Sequence, residues 1–193
     1  MNLPLEAYLP AIPDVVSRVG TDGQLVRSPE LYLEIVRQFD VARSPRYQPR
    51  MGNTFCNVFA VDVMAAMGAA LPYWVTERGG KGPVNEAYFE ANANWLAAWL
   101  ATEGHRYGWA RCSAEEAVAH ARAGQPTVVC WLNWARVDRE HNALRSGHIA
   151  VVVPSPKPGV RIAQAGAGNF VDGDVAQGFG SSRLELLNYY WHP

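Results

Sequence analysis

One stretch constrains this chain more than any other. Residues 55–67, FCNVFAVDVMAAM, are apolar apart from Asn57 and Asp62, and at about 3.6 residues per turn they make more than three turns of helix. Gly68 follows where a helix C-cap belongs, and the polar, proline-bearing segment SPRYQPRMGNT (44–54) precedes it. This pattern reads as a loop feeding a buried helix. It is not a membrane span, because Asp62 and Pro72 break the apolar run well short of about 18 residues.

The neighbouring segments are legible by the same signals. Ser28, Pro29 and the spacing of Leu31, Ile35, Val36 and Phe39 predict a helix that ends near Ala42. Residues 75–87, with three glycines and a proline, read as a loop. Phe89, Ala93, Leu96 and Leu100 predict a second amphipathic helix from Asn85 to about Thr102, with Trp95 and Trp99 on its core side. SAEEAVAHARAG carries a capping box, Ser113 with Glu116, and a C-terminal glycine, Gly124. After Pro126 the character changes to strands: TVVCWLNW, HIAVVVP, GVRIAQAG and LELLNYYW. Helices first and strands last predict an α+β domain with an antiparallel sheet. Residues 1–27 read as an irregular N-terminal arm, and 28–193 as a single domain.

With 193 residues the chain has the length of one domain of about 100–200 residues and needs no covalent staples. Lys and Arg number 17 against 18 Asp and Glu, so the basic footprint of a nucleic-acid partner is missing. Three cysteines leave at least one thiol outside any intramolecular bridge, and Cys56, Cys112 and Cys130 lack zinc-knuckle or CxxC spacing. Cys112 and Cys130 read as buried thiols. The opening MNLPLEAYLPAIPDVV has no basic n-region and no uninterrupted apolar core, so the expectation is synthesis in the cytoplasm without a secretory signal.

Cys56 is the thiol placed for chemistry. It stands where the polar loop enters the buried helix, and unpaired N–H groups and the helix dipole there favour a thiolate. Beside Phe55, Val58 and Phe59 it also fits a plain core cysteine. His148 opens HIAVVVP straight after Gly147, so its ring could offer one nitrogen to a thiol and the other to an orienting acceptor. Gln164, one strand later, is the candidate acceptor, and Asn169 is its rival. Asp62, six residues past Cys56, lies well round the helix and reads as structural. His105, His120 and His141, the last beside Asp138 and Glu140, read as solvated or helical surface rather than as metal ligands. Trp74, Trp131 and Trp134 are candidates to line a groove.

NTFCNVFAVDVMAAMGA, AVAHARAGQPTVVCWLN, SGHIAVVVP and RIAQAG together resemble the NlpC/P60 and CHAP superfamily of papain-like cell-wall amidases and endopeptidases over about residues 45–170. The resemblance implies a papain-like α+β fold with N-terminal helices packed on an antiparallel sheet. It places the nucleophile on Cys56, the base on His148 and the third member on Gln164, without metal or other cofactor. It also implies a second oxyanion donor upstream of the cysteine, Tyr47 first, with Gln48 and Asn53 as alternatives. Where the family commonly has Asp-Cys-Ser-Gly, this chain has Thr54-Phe55-Cys56-Asn57. That departure moves the likeness towards type VI secretion amidase effectors and phage endolysins. The implied activity is cysteine-dependent hydrolysis of amide bonds in the peptidoglycan stem peptide, in the periplasm or wall, by export outside the Sec route. Its implied partners are an immunity protein or a secretion component. The alternatives are a cysteine peptidase or acyltransferase acting on protein, and an inactive papain-like binding module.

Overall fold

A computed structural model describes residues 26–76, 88–133 and 147–193. Ser28 Oγ accepts the Leu31 N–H at the start of helix α1 (Pro29–Gln38). This helix stops short of Ala42 because the chain turns at Asp40, whose φ of 43° is the left-handed conformation that short polar residues tolerate. Helix α2 (Cys56–Ala66) follows, and every residue from Cys56 to Met64 is buried. A helix apolar all round belongs at the centre of a fold, and that is where α2 lies.

The stretch between α2 and the next helix departs from the expectation. Strands β1 (Trp74–Thr76) and β2 (Tyr88–Glu90) pair antiparallel, and helix α3 (Ala93–Thr102) begins only at its cap, Asn92, whose side chain accepts the Trp95 N–H. Phe89 therefore belongs to a strand, and residues 77–87 lie outside the described set. Trp99 is buried and Trp95 packs partly buried against the core. Strand β3 (Ala110–Cys112) leads into helix α4 (Ala114–Arg122), which has both hydrogen bonds of the capping box between Ser113 and Glu116.

Strands β4 (Thr127–Trp131), β5 (His148–Val152), β6 (Arg161–Gln164), β7 (Phe170–Asp174) and β8 (Asn188–Trp191) complete an antiparallel six-stranded sheet in the order β3-β8-β4-β5-β6-β7. The fold is α+β. Several elements were not anticipated: strands β3 and β7, the 3₁₀ turn Gly104–Tyr107, helix α5 (Val175–Phe179), and the 3₁₀ turn Ser181–Leu186, which occupies the start of the expected last strand. α2 packs mainly on β5 and secondarily on β6. One connected core joins α1, α2, α3 and the central strands. Of the expected N-terminal arm only residues 26 and 27 are described, and there the Arg27 guanidinium donates to the carbonyls of Met67 (2.6 Å) and Pro193 (3.0 Å).

Sheet register decides which side chains can meet. His148 is paired with Trp131 across β4 and β5, so the two side chains share a face. Between β5 and β6, Val151 faces Ala163 and Val152 faces Ile162, which sets Gln164 diagonal to His148 on that same face. The β6–β7 ladder shifts between Ile162 and Gln164, where Ile162 opposes Gly173 but Gln164 opposes Phe170. A bulge of this kind re-aims the side chain next to it.

Candidate active site

The start of α2 is built to hold an anion. Phe55 caps it without a side-chain hydrogen bond, so no capping oxygen occupies the first-turn N–H groups. The Cys56 sulfur takes that place, with the His148 ring and the backbone N–H groups of Ile149 and Asn57 about it, all favouring its thiolate. Burial pushes the Cys56 thiol up, yet His148 beside it and these N–H groups hold it below its ordinary value. His148 mirrors this. Burial pulls its ring down, but the Cys56 charge and hydrogen bond, joined by Gln164, raise it above the usual imidazole value. Each group thus shifts the other towards its charged form, in the direction of a thiolate and imidazolium pair.

Gln164 fixes the imidazole. Its Nε2 donates to the Gly168 carbonyl at 2.9 Å, which turns Oε1 towards His148 Nε2 at 2.6 Å. Nε2 of the ring is therefore the donor to the amide, and Nδ1 is the nitrogen left for the thiol. Gln164 is buried, and the backbone of α5 lies on its amide: a Cβ at Gly178 would sit 2.6 Å from Gln164 Oε1, so only glycine allows this approach. Phe179, at the end of α5, packs its ring 4.7 Å from that of His148. Asn169, the rival to Gln164, is spent elsewhere. Its Nδ2 donates to the carbonyls of Val41 and Tyr47, both at 2.9 Å, and its Oδ1 accepts the Gly166 N–H.

No protein-family model and no curated protein matches the chain.

The upstream candidates for a second oxyanion donor need correction. Tyr47 is fully buried and gives its single hydroxyl proton to Asp62 Oδ2 at 2.8 Å. Burial, with the Asp62 charge next, keeps that phenol protonated. Gln48 Nε2 is turned onto the carbonyls of Val41, Ala42 and Ser44. Asn53 is exposed and donates to Met51 within its own turn. Tyr47 and Gln48 are thus spent on Asp62 and on loop carbonyls, and Asn53 is turned into its own exposed turn, which favours the backbone N–H groups of the α2 terminus as donors. Asp62 is structural, in a buried ion pair with Arg46 at 2.7 Å.

Several residues that position the site carried no local sequence signal. Buried Asn57 donates to Glu90 Oε1 (2.5 Å) and to the Ala91 carbonyl (3.1 Å), tying the first turn of α2 to the end of β2. Asn94 Oδ1 accepts both the Asn133 and the Gly147 N–H at 2.9 Å, holding the entry to His148. A Cβ at Gly147 would collide with the Trp131 carbonyl and with Asn94 Oδ1. Gly147→Ala is therefore expected to cost about 1–3 kcal/mol, read in a thermal melt. An unchanged melting temperature would contradict this close packing.

The remaining expected residues fall as follows. Trp131 lies beside His148, and the side chain of Trp74, together with Trp134, Asp138, Glu140 and His141, lies outside the described set. His105 is exposed. His120 lies half-buried on α4, its ring stacked on Trp191 at 3.8 Å and its Nδ1 2.6 Å from Gln125 Oε1. All three cysteines are free thiols. Burial pushes Cys130 up to about 12, against the opposing charge of Arg111. Cys112 rises to about 11 through burial and then Glu116. No helix among the described residues is long and apolar enough to cross a membrane.

These values set an order of reactivity. Alkylation of Cys56 by iodoacetamide is expected to follow a midpoint below the ordinary thiol value of about 8.5, because the thiolate is present once pH exceeds the depressed pKa. Cys112 and Cys130 should stay silent until strongly alkaline pH. Peptide mapping after alkylation at stepped pH reads this directly, and a Cys56 midpoint at or above the ordinary value would remove the thiolate–imidazolium pair.

Proposed function

We propose that this chain is a cysteine hydrolase with a papain-like arrangement, cleaving amide bonds of the peptidoglycan stem peptide through a thioester. The observation that carries the reading is the relay from Cys56 through His148 to Gln164, with the amide oriented by Gly168 and the sulfur held by the uncapped terminus of α2. The wall substrate is supported by the resemblance of residues 45–170 to NlpC/P60 and CHAP enzymes, and an antibacterial effector or a lysin is the corresponding biological setting.

In this mechanism the Cys56 thiolate attacks the amide carbonyl carbon, and the developing oxyanion is met by the Cys56 N–H. The imidazolium gives its Nδ1 proton to the leaving nitrogen, and the amine departs. Water then attacks the thioester, Nδ1 takes its proton, and the thiolate is expelled with the free acid. Gln164 keeps Nε2 protonated throughout, so that Nδ1 alone exchanges protons with the reactants.

The test is mass spectrometry of peptidoglycan fragments incubated with the protein. A new acid and a new amine terminus at one stem-peptide bond, formed by wild type and absent with Cys56→Ala, are expected. Intact fragments, with hydrolysis or acyl transfer on protein substrates instead, would move the reading to the alternative of a protein-directed cysteine enzyme.

A further inference from the structure

One cation beside the relay is left without a counter-charge. Arg183, exposed on the 3₁₀ turn, lies with its guanidinium carbon 4.5 Å from the centre of the Trp131 ring. Its Nη1 donates to the Phe179 carbonyl at 2.7 Å. Both anchors touch the histidine's surroundings, Trp131 as the strand partner of His148 and Phe179 through its ring. The guanidinium is therefore held at the His148 side of the site. Some cations among the described residues have carboxylates, Arg46 with Asp62, Arg106 with Glu103, Lys157 with Asp172, and Arg161 with Asp172 and Asp174, while Arg50, Arg111 and Arg122 lie on neutral oxygens. Among the described residues Arg183 meets no carboxylate, and none of them takes its Nε and Nη2 edge.

This placement works against the relay when the site is empty. A positive charge there lowers the proton affinity of His148, opposing the imidazolium that Cys56 and Gln164 favour. An anion on Arg183 reverses that opposition. A planar guanidinium with a free Nε/Nη2 edge matches a carboxylate in bidentate geometry, and stacking on an indole fixes its plane in advance.

We propose that Arg183, seated on Trp131, binds a free carboxylate of the substrate beside the scissile amide. The inference rests on Cys56 and His148 being the reacting pair, and it adds the substrate class: a peptide with an unamidated carboxylate near the bond cut. Carboxylate binding both holds the substrate and relieves the charge opposing His148.

Paired alkylators test this without knowledge of the natural substrate. Iodoacetate and iodoacetamide react with the same thiol by the same displacement of iodide and differ in the carboxylate. The ratio of their rates at Cys56, iodoacetate over iodoacetamide, is expected to fall about three- to tenfold in Arg183→Gln, the size of one unit charge acting over several ångströms near water. It should fall further in Arg183→Glu, fall only in part in Arg183→Lys, which keeps the charge but not the bidentate edge, and lose its dependence on residue 183 in molar salt. Equal ratios in wild type and Arg183→Gln, with Cys56 still reactive, would overturn the carboxylate site alone. A Cys56 inert to both reagents in the folded wild type would overturn the reacting pair and this inference with it.

Discussion

Replacing Cys56 by Ala is expected to lower amide hydrolysis by about 10⁴–10⁶-fold while leaving the fold intact. The sulfur is the only atom of the site that bonds to substrate carbon in the proposed mechanism, and nothing nearby can substitute for it: Asn57 is committed to Glu90 and Ala91, and Tyr47 to Asp62. His148→Ala should cost nearly as much, because a thiol without its imidazole loses both the lowered pKa and the proton for the leaving amine. The two losses should not add, since nucleophile and base act as one unit. Gln164→Ala should cost less than either. It frees the ring to change tautomer but leaves sulfur and imidazole in contact. The measurement is kcat/KM on a stem-peptide substrate for the three single variants and Cys56→Ala/His148→Ala. Residual activity above about one per cent in Cys56→Ala would exclude Cys56 as the nucleophile.

How much of this was legible in the sequence follows from the range over which each feature is determined. The α1 cap at Ser28, the Ser113–Glu116 capping box and the apolar α2 are local patterns, and they stand as read. Cys56 and His148 were visible because each marks the start of an element. Strand order and the resemblance favour Gln164 over Asn169, but what separates the two amides physically, one ending β6 and the other preceding β7, is cross-strand register and a one-residue shift in the β6–β7 ladder. Tyr47 was misassigned for a related reason. Its position upstream of the cysteine suits an oxyanion donor, but a buried carboxylate elsewhere on α2 claims its proton. The helix expected from Asn85 was too long because pairing of β2 with β1 overrides the apolar spacing that includes Phe89. Arg183 sits in a short 3₁₀ turn with no periodicity to flag it.

The largest expected effect on stability lies at that buried carboxylate. Asp62→Ala is expected to cost about 3–5 kcal/mol. At roughly 2–4 °C per kcal/mol for a domain of this size, the melting temperature should fall by about 6–20 °C. Both partners of the ion pair are 3% exposed, and Asp62 accepts from Arg46 Nε at 2.7 Å, Arg46 Nη2 at 3.2 Å and Tyr47 at 2.8 Å. Removing it takes from the buried Arg46 guanidinium the Asp62 carboxylate and from the Tyr47 phenol its acceptor, and those losses set the size of the effect. The pair itself need not be stabilising. Arg46→Met with Asp62→Leu and Tyr47→Phe, which removes every member together, should therefore recover most of the loss. A similar loss in the triple variant would mean that the ion pair, not the buried charge left behind, carries the energy. The network joins the loop before the nucleophile to the middle of α2, and Asn169 ties the same loop to the end of β6 through Val41 and Tyr47. The elements carrying Cys56 and Gln164 are thus connected through the loop that precedes the nucleophile. If that loop sets the helix against the sheet, the triple variant should keep its stability yet show slower alkylation of Cys56 than wild type at the same pH.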